Sequence, residues 1–147
     1  MRWSPLLSTY DVHVHAAFSA AEVERFLQHV LAEHARIGVR ASFLFPAEAA
    51  RSMKSTVRAI VAEGHQVGCH GLTHRDETYD SLSATVQEDL LRRATDEMED
   101  IIEQRVTVFR APVFRISGAT IRILEALGYE ADLSMTSQRL GLFSSDV

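Results

Sequence analysis

The segment His70-Gly71-Leu72-Thr73-His74 carries two imidazoles four residues apart, and Asp11-Val12-His13-Val14-His15 carries a carboxylate with two more. Two histidines at that spacing can reach one cation from a single turn or a first helical turn. A third ligand from a distant strand closes one face of the cation and leaves positions open, as in a catalytic rather than a structural metal site. On an extended strand residues 11, 13 and 15 point the same way. One imidazole of that face can ligate while Asp11 acts as a general base, taking a proton from water that the cation has made acidic. The competing reading of each cluster is a polar loop or strand face with no shared role.

Arg110, before Ala111-Pro112, is a third element of interest. Its guanidinium stays charged and offers a fork of donors that can hold and orient Asp11. Otherwise it is a surface arginine or half of a structural ion pair. Asp132 reads better as a loop cap than as a group that orients a catalyst. Cys69 reads as a small core residue, His29 and His34 as structural residues of a helix, and His65 as a turn residue.

These groups need elements to bring them together. Leu6 to Val14 reads as a strand whose polar residues fall at its C-terminal end. Ser19-Ala20-Ala21-Glu22 has the capping-box pattern. Val23, Phe26, Leu27, Val30, Leu31 and Ile37 then recur at helical spacing up to Gly38. Val39 to Phe45 is a second strand, stopped by Pro46. A helix is expected over Ser52 to Glu63, a strand over Gln66 to Cys69, and a long helix over Thr85 to Gln104. A strand at Arg105 to Phe109, a helix capped by Ser117 and stopped by Gly128, and a strand at Tyr129 to Leu133 complete the series. Five strands alternating with four helices predict an α/β fold with a parallel sheet and right-handed crossovers. The polar motifs sit just after the first, third and fourth strands, at the sheet edge where such folds bind ligands.

Composition sets the remaining bounds. The 147 residues are read as a single domain, 1–147. The chain is 46 % hydrophobic and 24 % charged, ordinary for a globular protein, and its net charge of −5 gives no footprint for nucleic acid. One cysteine allows no intrachain disulfide. No apolar run reaches a membrane span. The opening Met1 to Leu7 is too short in its apolar part for a secretion signal, so the expected location is cytoplasmic.

The chain resembles the polysaccharide deacetylase family, the NodB-homology or family 4 carbohydrate esterase domain, in several ordered pieces. Ser8-Thr9-Tyr10-Asp11 resembles its first motif, Ala41 to Phe45 its second strand, Gly64 to His74 its second motif, and Phe109-Arg110-Ala111-Pro112 its third. Tyr129 to Ser134 loosely resembles the fourth. The Gly64 to His74 block is the specific part. The resemblance implies a distorted (β/α) barrel, here incomplete, holding a divalent metal, usually zinc, with cobalt, nickel or iron as alternatives. It implies Asp11 as general base, Arg110 steadying it, and His70 and His74 as metal ligands. It further implies removal of N-acetyl groups from an amino-sugar polymer, or action on a related non-peptide C–N bond in a carbohydrate or small amide.

Two departures from the family pattern shape the expectation. The acidic residue usually found one or two positions after the base is replaced by Val12 and His13, so the third ligand is expected to be His13, with His15 as the alternative. No histidine follows His74 to match the family's general acid. The chain is therefore expected to bind metal but catalyse poorly, as a fragment or with a partner subunit covering the open sheet edge in a homo-oligomer. Asp11 to Ser19 also resembles the opening of the polymerase-and-histidinol-phosphatase and amidohydrolase barrels, which implies a phosphoesterase. A third reading is an inactive fragment that binds metal or carbohydrate.

Overall fold

The computed structural model describes residues 8–14, 18–75 and 77–134. Five strands, β1 (Ser8–Asp11), β2 (Ala41–Phe45), β3 (Gln66–Cys69), β4 (Val108–Phe109) and β5 (Ala131–Asp132), form one sheet in the order β1-β2-β3-β4-β5. Every pairing is parallel. The helices are α1 (Ala20–Ile37), α2 (Ala47–Ser52), α3 (Lys54–Ala62), α4 (Ala84–Ile102) and α5 (Gly118–Leu127).

Local chemistry explains most boundaries. Ser19 caps α1 through a complete capping box with Glu22, and Gly38 ends it in the left-handed conformation. Ser117 and Gly128 do the same for α5. The five residues of β2 are all buried, as expected of a central parallel strand covered on both faces. Phe43, Phe45, Met53, Ile60, Leu91, Met98 and Phe109 form the centre of the core.

The structure corrects several expectations. There are five α-helices among the described residues, not four: the helix expected over Ser52 to Glu63 is α3, and a further short helix, α2, precedes it after Pro46. Met53 breaks the path at φ −124° and ψ 34°. It is almost fully buried, so its side chain fixes the corner in the core. The first amides of α2 are already committed, Ala47 N donating to Gly71 O (3.0 Å) and Glu48 N to Leu72 O (2.9 Å). That ties α2 directly to the His70–His74 loop. The first strand ends at Asp11 rather than Val14. Its last ladder bond runs from Val12 N to Leu44 O (2.8 Å), and Pro46 at the end of β2 has no N–H to extend the pairing. Leu6, Leu7 and His15 lie outside the described residues. The fourth strand is shorter than expected, and the Val106 amide is taken by the Glu99 carboxylate (3.0 Å) rather than by a ladder partner.

Two of the apolar residues that recur at helical spacing in α1, Phe26 and Ile37, are 61 % and 53 % exposed. They stand eleven positions apart, which returns to the same side of a helix, and that side faces outward. His65 is more than a turn residue. It is buried, and its Nδ1 accepts the Ala41 amide at 3.1 Å. No helix among the described residues is long and apolar enough to cross a membrane.

Candidate metal centre

The parallel sheet carries three sequence motifs to one edge. Asp11 ends β1, His70 follows β3 and Arg110 follows β4. His70 N donates to Phe45 O (2.8 Å) and Arg110 N to Cys69 O (3.0 Å), so both backbones are still held by the neighbouring strand. Arg110 crosses to Asp11, Nη1 donating to Oδ1 at 2.8 Å, with the two side chains only 12 % and 22 % exposed. Its Nη2 donates to Thr9 Oγ1 (3.1 Å) and its Nε to Leu133 O (3.1 Å). The Phe114 ring lies 5.4 Å from the guanidinium carbon.

His13, His70 and His74 converge. One ligand atom from each lies within 4.8 Å of the others. The His13 and His74 rings stack at 4.4 Å and 14°, and His70 lies 4.8 Å from His74 and 6.4 Å from His13 between ring centroids. His70 Nδ1 donates to Arg110 O at 2.8 Å. A carbonyl only accepts, so the proton sits on Nδ1 and the Nε2 lone pair is left for a ligand. Burial pulls the His70 and His74 pKa values below the ordinary imidazole value. The neighbouring imidazoles pull the same way; opposing them are the Arg110 carbonyl and then the Asp11 charge at His70, and the Glu77 charge and then the Asp11 charge at His74. Both rings are therefore neutral at pH 7, the state that ligates. His13 Nδ1 is buried with no hydrogen-bond partner among the described residues. That orphaned nitrogen beside two neutral imidazoles fits a divalent cation of the zinc, nickel or iron kind.

The turn that aims His74 is unusual. His74 has φ +66° and Gly71 has φ +85°. A non-glycine residue in that region costs about 1–3 kcal/mol and persists only where its surroundings impose it. A Cβ at Gly71 would lie 2.5 Å from Glu77 Oε2 and 2.9 Å from Pro112 Cγ, so only glycine fits. Glu77, 4 % exposed, accepts from the backbone amides of Leu72, Thr73 and His74 and from the Thr73 and Tyr79 hydroxyls. The sequence reading missed it. Within Arg75-Asp76-Glu77-Thr78 it looks like any solvated loop charge.

Beside His13 and His74 opens a cavity of about 630 Å³ lined by Val14, Pro46, Ala49, Ser52 and Arg75 among others. A larger one, about 840 Å³, lies at the other sheet edge between α1 and α3 and includes His34 and His65. His34 is spent on structure there. Its Nδ1 donates to Val39 O (3.0 Å) and its Nε2 accepts the Tyr10 hydroxyl (2.9 Å). Asp132 accepts from the amide and hydroxyl of Ser134 and so caps its loop, as expected. Cys69 is a buried core thiol, pushed up to about 12 by burial.

A parallel α/β sheet whose strand-end loops gather three imidazoles beside an arginine-held carboxylate places its polar groups where α/β folds bind ligands. The family model for polysaccharide deacetylase matches residues 4–131, and the chain belongs to that family. It is 29 % identical over 113 residues to a peptidoglycan deacetylase-like protein of Gibberella zeae, covering 76 % of this chain and 33 % of that protein. It is 26 % identical over 95 residues to a peptidoglycan deacetylase of Helicobacter pylori, covering 65 % of this chain and 32 % of that one. The chain thus spans about a third of the length of these curated relatives. Among solved structures, a family 4 carbohydrate esterase pseudoenzyme from Bacillus anthracis superposes with a TM-score of 0.73 at 20 % identity, over 86 % of this chain and 41 % of that one. The fold is the incomplete NodB-type (β/α) barrel expected from the sequence, with five parallel strands and, in place of the four helices expected, five α-helices among the described residues.

Proposed function

We propose that the chain carries the cation-binding part of a hydrolase that removes N-acetyl groups from an amino-sugar polymer or a related amide. The single observation that carries this reading is the convergence of His13, His70 and His74 beside the Arg110-held Asp11. Family membership supports the substrate class. His13, His70 and His74 hold the cation in this reading. When bound, the cation supplies Lewis-acid polarisation of the acetyl carbonyl and raises the acidity of water.

The chain's own groups do the rest. Asp11 accepts the proton of the attacking water as its oxygen bonds to the acetyl carbon. Arg110 keeps that carboxylate aimed. The adjoining cavity, with Val14, Pro46 and Ala49 on its wall, receives the acyl end of the substrate. The C–N bond then breaks to give acetate and a free amine, and the departing nitrogen needs a proton. Among the described residues the other histidines, His29, His34 and His65, sit on α1 or at the far edge of the sheet. With no such donor placed among the described residues, slow turnover is the expected behaviour.

Calorimetric titration with zinc or cobalt tests the reading. One cation per chain is expected, lost in His70→Ala and His74→Ala. Slow, cation-dependent acetate release from N-acetylglucosamine oligomers is expected to vanish in Asp11→Asn. A chain with native circular dichroism and no saturable cation binding would overturn it.

A further inference from the structure

The loop after His70 brings His74 to the other two imidazoles through a backbone whose Gly71 and Leu72 carbonyls are tied to α2, while its Leu72, Thr73 and His74 amides bond to no helix or strand. No helix or strand covers Leu72 to His74. His74 stands in the left-handed region, where a residue with a Cβ does not rest unaided. The group that fixes those three amides is one carboxylate. Glu77 Oε2 accepts Leu72 N at 2.9 Å and the Tyr79 hydroxyl at 2.7 Å. Glu77 Oε1 accepts Thr73 Oγ1 at 2.9 Å, His74 N at 3.0 Å and the Thr73 amide. Three consecutive amides therefore point at a single buried side chain, which forms a nest closed by its own anion.

We infer that Glu77 is the positioning residue of the cation site, its carboxylate setting the turn that presents His74 to the position shared with His13 and His70. The inference rests on the cation reading above. Glu77 itself ligates nothing. It acts through the Leu72, Thr73 and His74 amides and, from behind Gly71, excludes any side chain at that position. A carboxylate is required because five donors converge on its two oxygens. A carboxamide presents an NH₂ on one side, where donor would face donor. Tyr79 is fully buried and belongs to the core, so the clamp is tied to the core through its hydroxyl. Outer groups that orient ligands typically change metal affinity 10- to 100-fold when removed.

The test is cobalt titration of the whole chain, followed by the visible d–d bands and the dissociation constant. Glu77→Gln is expected to weaken cobalt binding at least about tenfold and to change the band positions. Ser42→Ala, which removes a buried hydroxyl bonded to Gln66 Oε1 near the opposite end of β2 and β3, is the control for stability loss alone. It is expected to leave affinity and spectrum as in wild type. Thr73→Val removes one donor to Glu77 Oε1 from a partly exposed position and is expected to weaken binding severalfold, whether or not Glu77→Gln folds. Wild-type affinity and spectrum in folded Glu77→Gln, or in Thr73→Val where Glu77→Gln does not fold, would overturn the inference and leave the cation reading intact. Wild-type protein without saturable cobalt binding would overturn both.

Discussion

Replacing Arg110 with methionine removes a guanidinium while keeping much of its aliphatic volume. Three acceptors lose their donors at once: Asp11 Oδ1 loses Nη1, Thr9 Oγ1 loses Nη2 and Leu133 O loses Nε. The Asp11 bond is charge-assisted and worth about 1.5–3 kcal/mol, and the two neutral acceptors add about 1 kcal/mol each before rehydration. The Asp11 side chain is 22 % exposed even with Arg110 in place, so water restores part of its solvation when the guanidinium is removed. The expected net loss is about 2–4 kcal/mol. For a chain of this size that lowers the melting temperature by very roughly 5–15 °C. The assay is a double-mutant cycle with Asp11→Asn, followed by urea unfolding monitored at far-ultraviolet wavelengths. The expected coupling is about 1.5 kcal/mol, because residues in direct charged contact do not add. Arg110→Lys should recover less than half, since one ammonium cannot reach three separate acceptors. A coupling within about 0.3 kcal/mol of zero would show that the two side chains do not act as a pair, and would refute the assignment of Arg110 as the residue that orients Asp11.

Two further outcomes are expected. Gly71→Ala and Gly38→Ala both place a Cβ at positive φ, but Gly38 has open space around it while Gly71 meets Glu77 and Pro112. Chemical denaturation should show a loss of about 1 kcal/mol at Gly38 and at least twice that at Gly71, with cation binding impaired only at Gly71; equal losses would contradict the described turn. His65 is held below the ordinary histidine pKa, by burial first and by His34 second. The unfolded chain therefore takes up the proton more readily, so stability falls as pH drops below about 6.5, through the depressed folded value. Protonation also ends acceptance of the Ala41 amide, and a lost buried bond costs about 1–3 kcal/mol. His65→Asn, whose amide oxygen can take that N–H at any pH, should show a smaller drop in melting temperature between pH 7.5 and 5.5 than wild type, and an equal drop would reject the role.

Capping boxes, helix-stopping glycines and alternating strand and helix patterns were legible in the sequence because each is a local signal. Ser19 with Glu22, and Gly38, mark α1 without help from the rest of the chain. The buried run of β2 and the order of the motifs along the chain were legible for the same reason. The candidate residues Asp11, His13, His70, His74 and Arg110 were readable as types at spacings, and their placement at strand ends followed from the parallel topology.

What only the tertiary structure decided depends on contacts far apart in sequence. The strand alternation that seemed to aim His13 does not do so, because β1 has ended at Asp11. His13 reaches the other imidazoles through packing beyond the ladder. The break at Met53 is set by a core side chain and by Gly71 and Leu72 carbonyls some twenty residues away. Glu77 carries a charge that composition assigns to solvent, and only its convergence with three amides and two hydroxyls identifies it as buried. Local propensity acts through neighbours on the chain, so a sequence displays it. A buried carboxylate is defined by the donors that surround it, and those are assembled only when the chain has folded.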